Sequence, residues 1–158
     1  MGGVTALMTA GDIVDHFIDK AEWVDPADTV DGVLLGDPAT EVTRCLVTWM
    51  PDMEALHYAV ENDIRIVVCH EPLFWIHRAN EFSPRAQAKL DFANEYGLTI
   101  IRNHDCWDRW PHIGITWAWA DFLGLGDTPH SISENKFLHR YDINPLGLAE
   151  FAEQVDGA

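Results

Sequence analysis

Hydrophobic and polar positions follow a readable rhythm along the chain. Between Gly11 and Ala21, Ile13, Val14, Phe17 and Ile18 recur at helical spacing, Thr9 stands where a cap is needed, and Asp25-Pro26 breaks the pattern. Val33-Leu34-Leu35 is a short apolar segment closed by the turn residues Gly36-Asp37-Pro38. Val42 to Trp49 predicts a strand, and Met50-Pro51-Asp52 leads into a helix from Met53 to about Asn62. Ile64 to Cys69 is a second, nearly continuous apolar strand. Pro84 suits the first turn of a helix that reaches about Tyr96, with Gly97 as its stop. Leu98 to Ile101 predicts a third strand, followed by a helix from about Ile113 to Leu123.

Three β-rich runs thus alternate with helical patterns, and their strands are apolar throughout rather than on every second residue. Strands of that kind are covered on both faces. The expectation is an α/β fold, a mostly parallel βαβ sheet flanked by helices, in a single domain over residues 1–158. In such sheets ligands bind beyond the carboxyl ends of the strands.

Composition narrows the function. The 158 residues include 10 basic and 26 acidic ones, a net charge of −16, which argues against gripping nucleic acid or an anionic membrane. No stretch approaches a membrane span, and Met1 to Ala10 lacks the basic start of a secretory signal. Three cysteines (Cys45, Cys69 and Cys106) read as reduced thiols in a cytoplasm.

The strand ends carry the chemistry. Ile64 to Cys69 delivers His70-Glu71-Pro72, and Leu98 to Ile101, with Arg102, delivers Asn103-His104-Asp105-Cys106-Trp107-Asp108. If the sheet is parallel, both clusters open into one crevice. Imidazole with carboxylate suits zinc, iron, manganese or nickel. His104 and Asp108 are four apart, so one helical turn would set them on one face. Each pair alone is more often surface decoration; their equivalent placement makes His70, Glu71, His104 and Asp108 the candidate metal ligands. Asp105 and His112 are candidate partners for a ligand imidazole, with a solvated loop as the equal alternative. His77 is a weaker candidate for the pocket lining. Cys69 and Cys106 read as packed thiols, His16, His57 and His130 as surface residues, and Asp25 to Asp37 as a turn and solvated loop. The helix from Ile113 is apolar nearly all round. Half of it reads as core, and the rest as a subunit interface or a crevice wall able to stack a planar ligand.

Three blocks in register, Gly32-Val33-Leu34-Leu35-Gly36-Asp37-Pro38, Val68-Cys69-His70-Glu71-Pro72-Leu73-Phe74, and His104 to Asp108 with Gly114 to Leu125, resemble the NIF-three-like dinuclear-metal family. Its members are often named GTP cyclohydrolase I type 2. The likeness runs over about residues 9 to 155. It implies one or two divalent metals per subunit, ring-shaped homo-oligomers (commonly hexamers), and metal-dependent hydrolysis of a small molecule such as a purine nucleotide. Carried over residue by residue, His70 takes the first-His position of the family's paired histidines, and His104 and Asp108 match its His-x-x-x-Asp. Glu71 stands where the second His is expected, as an oxygen ligand or as a general base beside a metal-activated water. The family's final His-x-x-x-Glu has no counterpart, since His139 and Glu150 have the wrong spacing. A fragment, a natural short form and a site completed by a second chain all remain open. The alternative to an enzyme is a non-catalytic, metal-binding oligomeric scaffold or regulator.

Overall fold

The computed structural model describes residues 7–73 and 83–157. His77 lies outside them. The chain divides into two compact units, Met1–His104 and Asp105–Ala158.

The first unit is the α/β sheet. Its elements are α1 (Ala10–Lys20), β1 (Gly32–Leu35), β2 (Cys45–Thr48), α2 (Met53–Glu61), β3 (Ile66–Cys69), α3 (Pro84–Glu95) and β4 (Thr99–Arg102). The strands lie in the order β1-β4-β3-β2. β2, β3 and β4 run parallel, with Thr48 beside Cys69 and Cys69 beside Arg102, while β1 joins β4 antiparallel. The mostly parallel sheet is therefore as expected, with an antiparallel edge that three short apolar residues could not disclose.

Alternation along the strands separates two cores. Val67, Cys69 and Ile100 pack with Leu56 and Ala59 of α2 and Ala93 of α3. Ile66 and Ile101 face the other way, onto Ala10, Ile13 and Val14 of α1. Helices on both faces explain why β3 and β4 are apolar at nearly every position. α1 opens with a capping box between Thr9 and Asp12, whose carboxyl is held below its usual range by the Thr9 backbone amide. Asp52 caps α2 and Ser83 caps α3. Gly36 is required at the end of β1: its φ is +89°, and a Cβ there would meet Thr99 and Leu98 at 2.5–2.9 Å.

The second unit comprises α4 (Asp105–Asp108), α5 (Ile115–Phe122), a hairpin of β5 (Ser131–Ile132) and β6 (His139–Arg140), and α6 (Leu148–Asp156). α5 starts two residues later than the pattern predicts. Gly114 caps it, and a Cβ there would sit 2.5–2.7 Å from backbone atoms of Trp107 and Trp110. The expectation that half of α5 is core is met only by Ala120, which is buried; Trp119 and Phe122 are exposed and pack on one another at 5.2 Å. No helix among the described residues is long and apolar enough to cross a membrane.

Candidate metal centre

β3 and β4 are parallel neighbours, so their carboxyl ends lie on one edge of the sheet. His70 and Glu71 follow β3 directly, and His104 stands two residues beyond β4. A ligand atom from each of the three lies within 4.8 Å of the others. This is the convergence that the strand-end argument predicts.

The chain is tied down tightly here. The backbone amides of His70 and Glu71 both donate to the carbonyl of Trp49, at 3.1 and 2.8 Å, just past the end of β2. Asn103 donates its amide to the carbonyl of Cys69 at 2.9 Å. The His104 amide donates to the Asp31 carboxylate at 2.5 Å. Asp31 is thus a partner of the site rather than part of a purely solvated loop.

Glu71 is buried and has two different oxygens. Arg102, itself 6% exposed, donates from Nε to the His70 carbonyl at 3.1 Å and from Nη2 to Glu71 Oε2 at 3.3 Å. The other oxygen, Oε1, faces His104 Nε2 at 3.9 Å. A buried carboxylate without such a cation would carry a large desolvation cost. Arg102 offsets that cost while leaving one oxygen turned toward the imidazole.

The rings form a three-layer stack. Trp49 lies on His70 with centroids 4.2 Å apart and planes 22° apart. His70 lies on His104 at 4.3 Å and 21°. The neighbouring thiol of Cys69 donates to the Ile101 carbonyl, and burial pushes its pKa up to about 12. It is a packed thiol, not a thiolate ligand. Cys106 is buried as well, and His16, His57 and His130 are exposed, all as the sequence indicates.

Two imidazoles and one carboxylate oxygen are a donor set that suits zinc or a similar divalent ion. With metal–ligand bonds of about 2.1 Å, four-coordinate donors sit roughly 3.4 Å apart. The 3.9 Å between His104 Nε2 and Glu71 Oε1 is only slightly wider. The residues fit a metal ion, with one adjustment. An imidazole binds metal in its own ring plane, so two rings stacked nearly parallel cannot both ligate until one turns.

The triad is drawn wholly from the first unit. Asp108, the fourth candidate, ends α4 in the second unit, and Asp105 begins that helix. His112, also in the second unit, is exposed with a left-handed φ of 67° and packs on Trp117. Sequence reasoning missed Trp49, Asp31 and Arg102. Trp49 and Arg102 end parallel strands or lie just past them, so the strand-end rule that found the histidines could have found both. Asp31 acts through a loop contact that no local pattern marks.

Comparison with known proteins agrees with this fold. A curated relative, the GTP cyclohydrolase 1 type 2 homolog of Chlamydia pneumoniae, is 24% identical over 104 residues, covering 62% of this chain and 41% of that protein. Among solved structures, reduced HcgD from Methanocaldococcus jannaschii superposes with a TM-score of 0.64 at 19% identity, over 82% of this chain and 52% of the other. A Bacillus cereus protein related to NIF3 gives 0.61 at 16% identity, over 80% and 37%. A Staphylococcus aureus hypothetical protein gives 0.59 at 21%, over 77% and 35%. The chain therefore spans between a third and about half of the length of these relatives. The sequence model of Duf34/NIF3 (NGG1p interacting factor 3) matches residues 8–158. With the match running from the first helix to the last, this chain belongs to the Duf34/NIF3 family.

Proposed function

We propose that His70, Glu71 and His104 hold a divalent metal ion and that the site serves metal-dependent hydrolysis of a small molecule. The observation that carries the reading is the convergence of the three donors at the carboxyl edge of the sheet. A bound divalent ion supplies Lewis acidity, lowering the pKa of water from 15.7 toward ~7 and polarising a substrate oxygen or ring carbon. The chain's own part is to hold two imidazoles and one carboxylate oxygen in a partly enclosed edge. Glu71 Oε1, not engaged by Arg102, is the atom that either ligates or takes a proton from the attacking water. Asp108 enters as a further donor on its four-residue spacing from His104 alone.

Zinc, iron, manganese or nickel fits the nitrogen and oxygen donors, one or two ions per subunit. The curated relative's name supports a purine nucleotide such as GTP as substrate class. The net charge of −16 works against an anionic substrate unless the metal offsets it. A ring-shaped homo-oligomer in the cytoplasm completes the proposal, supported by the exposed Trp119 and Phe122 and by three free cysteines. A non-catalytic, metal-binding scaffold is the second reading. It is favoured by the Arg102–Glu71 pair, which already neutralises the carboxylate.

The test is elemental mass spectrometry of protein purified without added metal, for the parent and for His104→Ala. Near-stoichiometric metal that disappears in the variant is expected. A parent that folds without retaining or taking up metal would overturn the reading.

A further inference from the structure

β4 is a central strand, with β3 on one side and β1 on the other. Successive backbone amides of a strand point to opposite sides, and the two residues beyond β4 keep that alternation. The Asn103 amide donates toward β3, to the Cys69 carbonyl at 2.9 Å. The next amide, that of His104, turns to the side where β1 begins. In a continued ladder its acceptor would be a backbone carbonyl. Here it is a side chain: Asp31 Oδ1 accepts at 2.5 Å, shorter than the usual ~2.9 Å of such bonds.

The topology explains why a residue 73 positions away arrives at this point. β1 runs antiparallel to β4, and its first residue, Gly32, stands opposite Arg102, the last of β4. The residue before Gly32 therefore meets the chain that leaves β4. A parallel β1 would bring its last residues to this edge instead. Two local features hold Asp31 in place. Its own amide donates to Thr29 Oγ1 at 3.2 Å. Gly32 has a φ of +151°, which L side chains rarely adopt, although a Cβ there would meet nothing within 4 Å. Glycine is required there by the backbone, not by space.

We infer that Asp31 is a positioning residue of the metal site, its carboxylate fixing the backbone of His104 and so the place from which that imidazole reaches the metal. The inference rests on the metal reading above. Water could satisfy a donor at this part-buried edge, but it would not tie the donor to a neighbouring segment. The carboxylate does so through a charge-assisted bond. His70 and Glu71 are anchored in a comparable way, by their amides on the Trp49 carbonyl. Each member of the triad thus has its backbone held from outside its own strand, two from just past β2 and one from just before β1. Partners that stand behind metal ligands typically account for about 10–100-fold in affinity.

The experiment uses the whole chain and compares the parent with Asp31→Ala, Asp31→Asn and Gly32→Ala. Affinity for zinc is measured by competition with a chromophoric chelator, and the His104 amide is followed by NMR in metal-free protein. Asp31→Ala is expected to bind zinc about 10-fold or more weakly, with its His104 amide proton moved upfield as the short bond is lost. Asp31→Asn retains an acceptor oxygen and is expected to recover most of the affinity. Gly32→Ala keeps the carboxylate but not the backbone that aims it, so its affinity falls as well. A merely structural role would lower the melting temperature of Asp31→Ala and leave the zinc affinity of the folded protein at the parental value. That result overturns the inference and leaves the metal site standing. An Asn variant as weak as the Ala variant would also overturn it, since the acceptor would then not be the cause. Should Asp31→Ala fail to fold, Gly32→Ala decides: parental affinity with an unmoved His104 amide sinks the inference. A parent that takes up no zinc, iron, manganese or nickel would instead overturn the metal reading itself, together with this inference.

Discussion

Both units of this chain stack histidine against tryptophan, but in opposite order. In the first, a histidine is the middle layer: Trp49, His70 and His104 lie nearly parallel, and Glu71 is close by. In the second, a tryptophan is the middle ring. Trp117 meets His112 at 4.6 Å with a tilt of 44° and His139 edge-on at 4.9 Å. Among the described residues, only the first arrangement gathers three side chains that could hold a metal ion. The difference is one of scaffold. Parallel strands deliver their ends to one edge, so His70 and His104 converge with their carboxylate. A hairpin and a helix bring rings together for packing, without gathering three such donors among the described residues.

The strongest way to break this contrast is to remove one imidazole from each stack. His70→Ala or His104→Ala is expected to abolish stoichiometric metal uptake, whereas His112→Ala or His139→Ala leaves it at the parental level. Elemental analysis after dialysis against trace metal decides the matter. Metal lost from the second pair of variants would mean that the contrast between the units is false.

The next largest effect separates two arginines. Arg102 is buried against a buried carboxylate, so Arg102→Met leaves Glu71 charged and unpaired, and a loss of about 3–5 kcal/mol is expected. Adding Glu71→Gln to that variant should recover much of the loss. In the second unit Arg109 lies over Phe137 at 4.3 Å and donates to the Asn135 carbonyl. Arg109→Met should cost only about 1 kcal/mol. Denaturant titrations of the metal-free proteins give both values; equal costs would show that burial of the ion pair is not what distinguishes them.

How much of this was legible in the sequence follows the same division. The first unit was readable because its signals are strong and local: capping residues before α1 and α2, Pro84 at the start of α3, and strands apolar on both faces. His70, Glu71 and His104 were legible because strand ends in a parallel sheet have a known destination. The direction of β1 was not, because Val33-Leu34-Leu35 reads the same in either sense and the choice depends on pairing with β4. In the second unit β5 and β6 are two residues each, too short for any periodicity, and α6 begins at a glycine with no side-chain cap. Arg102 was within the strand reading, but its bond to Glu71 spans 31 positions and is visible only in three dimensions.

A smaller effect concerns pH. Burial holds the pKa of His139 below its ordinary 6.5, so the unfolded chain takes up a proton more readily than the folded one. Stability from this group is therefore fully present above pH 6.5 and is lost as the pH falls through the lowered folded value. His139→Phe should flatten that part of the profile. Unfolding midpoints measured between roughly pH 8 and 5 for parent and variant provide the check. A parallel decline in both would remove His139 from the account.

The smallest effect tests whether the units also differ in how their helices begin. Side chains of Thr9, Asp52 and Ser83 cap the helices of the first unit, whereas α5 and α6 start at Gly114 and Gly147 with no side-chain cap bond. Gly114 is fixed by its crowded surroundings, but a Cβ at Gly147 would have nothing within 4 Å. Its φ of −70° and ψ of 150° are ordinary for a capping residue of any type. Gly147→Ser should therefore stabilise α6 by a few tenths of a kcal/mol, since serine satisfies an orphan amide that glycine leaves to water. Amide exchange along Leu148–Asp156 is the sensitive readout, because fraying of one exposed helix need not move the global transition. Slower exchange in the first turn of α6 would show that this helix frays for want of a side-chain cap; unchanged exchange would mean that capping does not distinguish the units.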